Sequence, residues 1–180
     1  MRDQNKIRRF EQCVLPHLDA AYNLARWLTH NDQDAEDVVQ ESYLRAFKFF
    51  DGFHSNDGRP WLLAIVRNTY YTLTQQQRAH EVVTPFDEEI HSFDLENQNP
   101  ENQNPEELLL QSINNQLLRD AIEDLPVEFR EVIVLRELEG LSYKEIADIG
   151  AIPLGTVMSR LARARKRLQH YLTQHMSKEL

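Results

Sequence analysis

The residues of this chain with the clearest chemistry are a set of arginines close to its C-terminus. Arg160, Arg163 and Arg167 recur at spacings of three and four, which places them along one side of a helix. Cationic side chains repeated in this way bind the phosphates of a nucleic acid. Ser159 and Ala162 lie among them, and side chains this small let the backbone approach the edges of bases. The pattern indicates a helix that enters the major groove of DNA.

The elements that would position this helix have the order of a helix-turn-helix motif. Ser142, with Glu145 three residues later, predicts a capping box and the start of a short helix. Gly150 predicts its end, and Pro153 predicts the beginning of a longer helix. In such a motif the first helix braces the second, whose N-terminal residues lead into the groove. A solvated amphipathic helix is the simpler interpretation of the arginines alone, but the cap, the break and the new start together favour the motif.

The rest of the sequence predicts an all-α protein with two small helical domains. The chain has 180 residues, only 5 glycines and many stretches with a period of 3.6. Residues 96–107 read ENQNPENQNPEE and contain nothing apolar to bury, so they predict a flexible, acidic, solvated linker together with the acidic residues before them. We place the first domain at residues 1–79, the linker at 80–107 and the second domain at 108–180.

Three helices are expected in the first domain. One carries a buried stripe from Val14 through Leu18 to Leu28, a second begins near Asp32 and buries Phe49 or Phe50, and a third runs from residue 60 towards residue 78. In the second domain, the last helix is expected to bury a stripe that starts with Leu154 and ends with Leu172.

Composition argues against several classes of protein. We find no apolar run of about 18 residues and no secretory signal, and with a single cysteine, Cys13, a reducing cytoplasm is the simplest location. No glycine-rich phosphate loop, nucleophile elbow or paired carboxylate site is apparent, so we expect neither an enzyme nor a cofactor. Cys13 and His17 lie four apart, but two ligands do not make a metal site, and no metal is expected.

Two long segments of the chain resemble one family. Residues 124–168, DLPVEFREVIVLRELEGLSYKEIADIGAIPLGTVMSRLARARKRL, resemble the promoter-reading C-terminal domain of the extracytoplasmic-function (ECF) sigma factors of bacterial RNA polymerase. Residues 34–53, DAEDVVQESYLRAFKFFDGF, and 59–73, RPWLLAIVRNTYYTL, resemble the N-terminal domain of the same family. The two motif sets come in the same order as in the family, whereas the linker between them does not resemble the family.

The resemblance implies a sigma factor that directs promoter-specific transcription initiation. Its partners would be core RNA polymerase, through the β′ clamp and the β flap, promoter DNA, and an anti-sigma factor, with no insertion into a membrane. Three residues of the second helix would contact the β′ clamp: Asp37, Gln40 and Glu41. The loop at residues 51–58 would hold an extruded base, and four residues of the third helix would meet the minus-ten element: Trp61, Arg67, Asn68 and Tyr71. Eight residues of the last helix would bind the minus-thirty-five element, on bases or phosphates: Thr156, Met158, Ser159, Arg160, Ala162, Arg163, Arg165 and Arg167.

A protein with a net charge of −9 would bind the phosphates of DNA poorly on its own. The charge fits a sigma factor, because the polymerase delivers such a protein to DNA. The linker of residues 80–107 would span roughly 90 Å when extended, against roughly 70 Å between two promoter elements about two turns apart. We hypothesise that the free protein is compact, with the domains shielding each other, and opens on polymerase.

Two alternative functions remain. The first is a sigma-like adaptor that sequesters an anti-sigma factor, and the intact basic helix argues against it. The second is a helix-turn-helix repressor, and the presence of two motif sets argues against that.

Overall fold

The computed structural model describes residues 2–80 and 105–176, and all the regular elements in these residues are helical. We refer to the two segments as the N-terminal half and the C-terminal half. The all-α prediction is therefore confirmed. None of the helices in these segments combines the length and hydropathy needed to cross a bilayer. No group of three or more His, Cys, Asp or Glu side chains in the same segments is arranged to share a metal ion.

The N-terminal half contains four α-helices and two short 3₁₀ turns. In chain order they are α1 (Arg2–Cys13), a 3₁₀ turn (Leu15–His17), α2 (Leu18–Thr29), α3 (Asp32–Phe49), a 3₁₀ turn (Phe50–Gly52) and α4 (Gly58–His80). Helix α3 begins where predicted, because the Asn31 side chain accepts a hydrogen bond from the Asp34 backbone N–H at 3.1 Å. Helices α2, α3 and α4 pack against one another around a core that includes Leu24, Val38 and Leu62.

The C-terminal half contains the predicted helix-turn-helix. Its elements are α5 (Pro105–Glu123), α6 (Val127–Ile133), which continues as a π turn (Val134–Leu138), then α7 (Tyr143–Gly150) and α8 (Leu154–Met176). The capping box is confirmed, since Ser142 Oγ accepts from the Glu145 N–H at 3.1 Å and Glu145 Oε2 accepts from the Ser142 N–H at 2.8 Å. In the turn, Ala151 has φ +50°, so the left-handed residue follows Gly150 and is not a glycine.

Two predicted features of the N-terminal half were wrong. The stripe from Val14 to Leu28 does not lie on one helix, because the 3₁₀ turn interrupts the chain and leaves Leu18 48% exposed. Helix α1 was not predicted, because its sequence is strongly polar and buries only Phe10 in the core. For the end of α3 the prediction left two candidates open, and the structure selects Phe50, which is 1% exposed against 60% for Phe49.

The expected linker and the stripe of the last helix also differ from the structure at their ends. His80 belongs to α4, and Pro105 already belongs to α5, so both halves extend into the segment expected to be linker. Residues 81–104 lie outside the described residues. In α8, Val157 and Leu161 are buried as expected, but Leu154 is exposed, because it lies at the start of the helix beyond the reach of the core.

The two halves are in contact. Helix α2 packs against α6, and α4 packs against α7. Arg130 of α6 is buried and donates a hydrogen bond to the Trp27 carbonyl at 2.9 Å and another to the Leu125 carbonyl at 2.8 Å, so one guanidinium joins both halves. The arrangement is compact, and it covers part of the surface for which function was predicted.

Candidate nucleic-acid interface

The predicted reading residues of α8 lie on its outer face. Val157, Leu161 and Ala164 are buried against the C-terminal core, which turns the rest of the helix outward. Of the eight residues predicted there, six are exposed: Met158, Ser159, Ala162, Arg163, Arg165 and Arg167. The other two, Thr156 and Arg160, are half-buried. The face is therefore accessible along most of its length, with small side chains at its N-terminal end.

The arginines of this face differ in what they contact within the protein. Arg165 pairs with Glu137 at 2.8 Å, Arg167 lies 5.3 Å from the centre of the Phe129 ring, and Arg160 lies 3.7 Å from Glu131. Arg163 is exposed, and within the described part of the chain it makes no ion pair and no ring contact. An exposed guanidinium without an internal partner is available for a base edge or a phosphate.

The three residues predicted to contact polymerase lie near one another on α3. Asp37 and Gln40 are exposed, and Glu41 accepts a hydrogen bond from Arg45 at 2.7 Å. Sequence reasoning missed Leu44, which follows one turn after Gln40 and is 68% exposed. A large apolar side chain this exposed beside acidic and amide groups is a common feature of protein interfaces. The spacing of four from Gln40 was the signal that could have found it.

The loop before α4 forms a cleft with Trp61. The Trp61 ring centre lies 4.7 Å from that of Phe53 and 6.2 Å from that of Phe50, so the indole is fixed by an aromatic cluster while one side stays open. The cleft has a volume of about 420 Å³, and Glu145 of α7 is part of its lining together with residues of the loop. On the next turns of α4, Asn68 is exposed.

Arg67 and Tyr71, the other two residues predicted to meet the minus-ten element, are engaged inside the protein. Glu131 of α6 accepts hydrogen bonds from Arg67 Nε at 3.1 Å and Nη2 at 3.2 Å, and from the Tyr71 hydroxyl at 2.9 Å. Burial raises the pKa of Tyr71, and the negative charge of Glu131 raises it further, so the phenol stays protonated and donates. The structure thus separates the predicted minus-ten set into two open residues and two covered ones.

A second buried carboxylate joins the halves at Glu139. One of its oxygens accepts from Arg59 at 2.8 Å and the other from Asn23 at 2.8 Å, while Arg59 also donates to the Glu139 backbone carbonyl. Glu131 and Glu139 were not singled out in the sequence, because an acid on a helix is ordinarily solvated and the partners of these two in the N-terminal half lie 60 to 116 residues away.

Comparison with protein families identifies the class of protein. Residues 13–80 match the model of sigma-70 region 2, and residues 115–168 match that of sigma-70 region 4. These matches include α3, α4 and α7 completely and α8 as far as Leu168, which covers every residue predicted to bind polymerase or DNA. The chain therefore has the two conserved regions of a bacterial transcription initiation factor.

The relatives narrow this class to one family. The chain is 33% identical over 175 residues to the ECF RNA polymerase sigma factor SigE of Mycolicibacterium smegmatis, covering 97% of this chain and 66% of the relative. It is 36% identical over 149 residues to the ECF RNA polymerase sigma-E factor of Haemophilus influenzae, covering 82% of this chain and 78% of the relative. The chain belongs to the ECF RNA polymerase sigma factors.

Two solved structures have the same arrangement of helices. The sigma factor RpoE of Bartonella quintana, crystallised with the anti-sigma factor NepR, superposes with a TM-score of 0.68 at 28% identity, covering 91% of this chain and 96% of that one. CnrH, in complex with the cytosolic domain of CnrY, superposes with a TM-score of 0.61 at 26% identity, covering 92% of this chain and 88% of that one.

Proposed function

We propose that this ECF sigma factor directs initiation by dividing three contacts among its helices. The α3 face, Asp37, Gln40 and Glu41, binds the β′ clamp of core RNA polymerase. The α4 face, with the cleft at residues 51–58, binds and opens the minus-ten element, while the outer face of α8 binds the minus-thirty-five element. Residues 1–79 and 108–180 act as the two functional domains, and the segment at 80–107 spaces them.

The observation that best supports promoter reading is Arg163, which is exposed beside Ser159 and Ala162 on α8 and makes no ion pair within the described residues. Arg binds guanine through two parallel hydrogen bonds in the major groove, and a good pair of this kind discriminates against the wrong base by about 1–3 kcal/mol. Small neighbours let the helix approach closely enough for that geometry. Arg165 and Arg167 lie further along, where long cations reach phosphates.

Run-off transcription tests this assignment. Purified core polymerase and the sigma factor are given a fragment library from the host, and start sites that depend on the sigma factor are mapped. Arg163→Ala and Ser159→Ala should relax or abolish these starts. The matched control is Arg8→Ala, which removes the same charge from an exposed position on α1 and should leave them intact. Equal losses for Arg163→Ala and Arg8→Ala would refute promoter reading by α8.

Binding to the core enzyme tests the α3 face separately. Asp37→Ala with Gln40→Ala should weaken core binding roughly tenfold, which corresponds to about 1.4 kcal/mol. Asp3→Ala with Gln4→Ala makes the same chemical change at exposed positions on α1 and serves as the control. If both double variants bind core polymerase as tightly as the parent chain, the α3 face is not the contact.

We also propose that an anti-sigma factor regulates this chain, as the solved complexes of RpoE and CnrH suggest. Helix α5 has four exposed large apolar side chains on which a partner could pack: Leu109, Leu110, Ile113 and Leu118. Leu110→Ser should leave transcription in vitro unchanged, because no anti-sigma factor is present there. In the host it should raise transcription, because the variant no longer binds the anti-sigma factor. If transcription falls in both settings, α5 contacts the polymerase, for which the β flap is the expected site.

A further inference from the structure

The contact between the halves is built around one buried carboxylate. Glu131 is 2% exposed, and its two oxygens face Arg67 and Tyr71 of α4 and Arg160 of α8. A carboxylate removed from water is tolerated only when cations and hydroxyls compensate for its lost hydration. Two of the three compensating groups here come from the N-terminal half. The charge of Glu131 is therefore satisfied fully only while the two halves are in contact.

The partners of Glu131 are residues to which the proposed function gives a DNA contact. Arg67 and Tyr71 belong to the minus-ten set, and Arg160 belongs to the minus-thirty-five set. The other predicted minus-ten feature, the cleft beside Trp61, has Glu145 of α7 in its lining. Arg59, which directly follows the loop and Gly58, is held by Glu139. Within the N-terminal half, Asn68 and the open side of Trp61 remain accessible, while Arg67 and Tyr71 are covered.

We propose that in the free protein Glu131 occupies Arg67 and Tyr71 in place of promoter DNA, and so holds the chain in a closed form. The inference rests on the proposed contacts of these residues with DNA. A ligand shifts such an equilibrium only by its differential affinity for the two forms, so DNA alone must first displace a buried, multiply bonded carboxylate. Polymerase, which binds α3 and must separate the two halves, provides the additional free energy. Glu139 stabilises the same closed form through Arg59 and Asn23.

A distance measurement on the free, full-length chain tests the closed form. Cys13→Ser removes the single natural cysteine. Glu11→Cys on α1 and Gln169→Cys on α8 then provide two exposed positions for spin labels. The parent chain should give a single distribution of distances by pulsed electron paramagnetic resonance, and an opened chain should add a second distribution at longer distances. Glu131→Gln keeps the shape and removes the charge, and it should raise the ratio of long to short distances roughly tenfold, the effect expected for a lost charge-assisted hydrogen bond.

Two further variants control this measurement. Glu128→Gln makes the same change on α6 at a residue with no ion pair in the described segments, and it should leave the distances unchanged. Arg67→Gln breaks the contact from the other half and should open the chain as Glu131→Gln does. Circular dichroism establishes that each variant keeps its helices. Folded Glu131→Gln and Arg67→Gln proteins with the parent's distances would overturn the inference.

Salt dependence provides a readout that a purely structural role of Glu131 would not change. Opening releases Arg67 of α4, and loss of the Glu131 charge also releases Arg160 of α8, which lies in the same half as Glu131. Each new phosphate contact steepens the plot of log affinity against log salt by about 0.9. For a random-sequence duplex, Glu131→Gln should therefore steepen the slope by about one to two relative to Glu128→Gln. An opened protein with an unchanged slope would refute competition between Glu131 and DNA.

Run-off transcription separates this inference from the proposed function. If the distances and slopes change as expected while the parent chain produces no starts with core polymerase, the proposed function fails and the closed form stands. If the parent chain produces starts while Glu131→Gln has the parent's distances, the closed form fails and the proposed function stands.

Discussion

Gly58 is a residue at which a very small chemical change should have a large effect on the cleft beside Trp61. It is the first residue of α4 and is buried against the backbone of Cys13. A Cβ at this position would lie 2.1 Å from the Cys13 carbonyl oxygen and 3.0 Å from the carbonyl carbon. Even close carbon–oxygen contacts in proteins are about 3.3–3.6 Å long, so Gly58→Ala requires a shift of roughly 1 Å between two backbone segments.

The expected cost follows from this geometry. Neither neighbour is the flexible end of a side chain, so the strain cannot be relieved by a rotamer change. Overpacking of this kind destabilises a protein by about 1–3 kcal/mol. Because Trp61 lies one turn after Gly58, the same shift should also change the environment of its indole and the shape of the cleft.

Urea unfolding followed by circular dichroism and tryptophan fluorescence provides the measurement. The control is Gly52→Ala, in the same loop region, where an added Cβ meets nothing within 4 Å and φ is not positive. We expect Gly52→Ala to change the free energy of unfolding by less than about 0.5 kcal/mol. Equal unfolding free energies for the two alanine variants would refute the argument from close approach.

Three other predictions concern stability. Ser142→Ala removes the cap of α7 and should cost about 1 kcal/mol in thermal unfolding, whereas Ser159→Ala, whose hydroxyl bonds within its own helix, should cost much less. Phe50→Ala should cost about 3–5 kcal/mol, because Phe50 is packed against Phe10, Phe53 and Trp61, and the exposed Phe49→Ala should be nearly neutral. Burial, with Arg130 and Arg26 nearby, lowers the pKa of His30 to about 4. The unfolded chain takes up this proton near pH 6.5, so stability should fall by about 1–2 kcal/mol between pH 6.5 and 4, and His30→Asn should flatten that fall. For each pair, equal effects of the variant and its control, or for His30 an unchanged pH profile, would contradict the reasoning.

The features that the sequence predicted well are those specified by neighbouring residues. The capping box of Ser142 and Glu145 needs only a spacing of three, and it defines the start of α7 to the residue. The outward face of α8 follows from the burial of Val157 and Leu161 one turn apart. The resemblance to the sigma factors rested on such local patterns, and the family comparisons confirm it.

The features that the sequence did not predict depend on contacts between residues that are distant in the chain. Glu131 looks like any acid on an amphipathic helix until α4 lies against it, and its contact with Tyr71 spans 60 residues. Arg67 was predicted to meet DNA, and nothing near it in sequence indicates that a buried carboxylate holds it. Helix α1 was missed for a different reason, since a helix that buries a single aromatic has no apolar stripe to detect.

The π turn at Val134–Leu138 decides how the two buried glutamates are aligned. Two residues eight apart on a regular α-helix are separated by about 80° around its axis. The wider turn, in which the Glu139 N–H donates to the Val134 carbonyl at 3.0 Å, accommodates one additional residue, so Glu131 and Glu139 are placed as if seven apart, within about 20° of each other. Deleting one residue here would restore a regular helix with the two glutamates seven apart and would keep their alignment, whereas winding all eight residues as a regular α-helix would rotate Glu139 by about 100°. The register of a single peptide unit thus determines whether Arg59 and Asn23 have a carboxylate to bind.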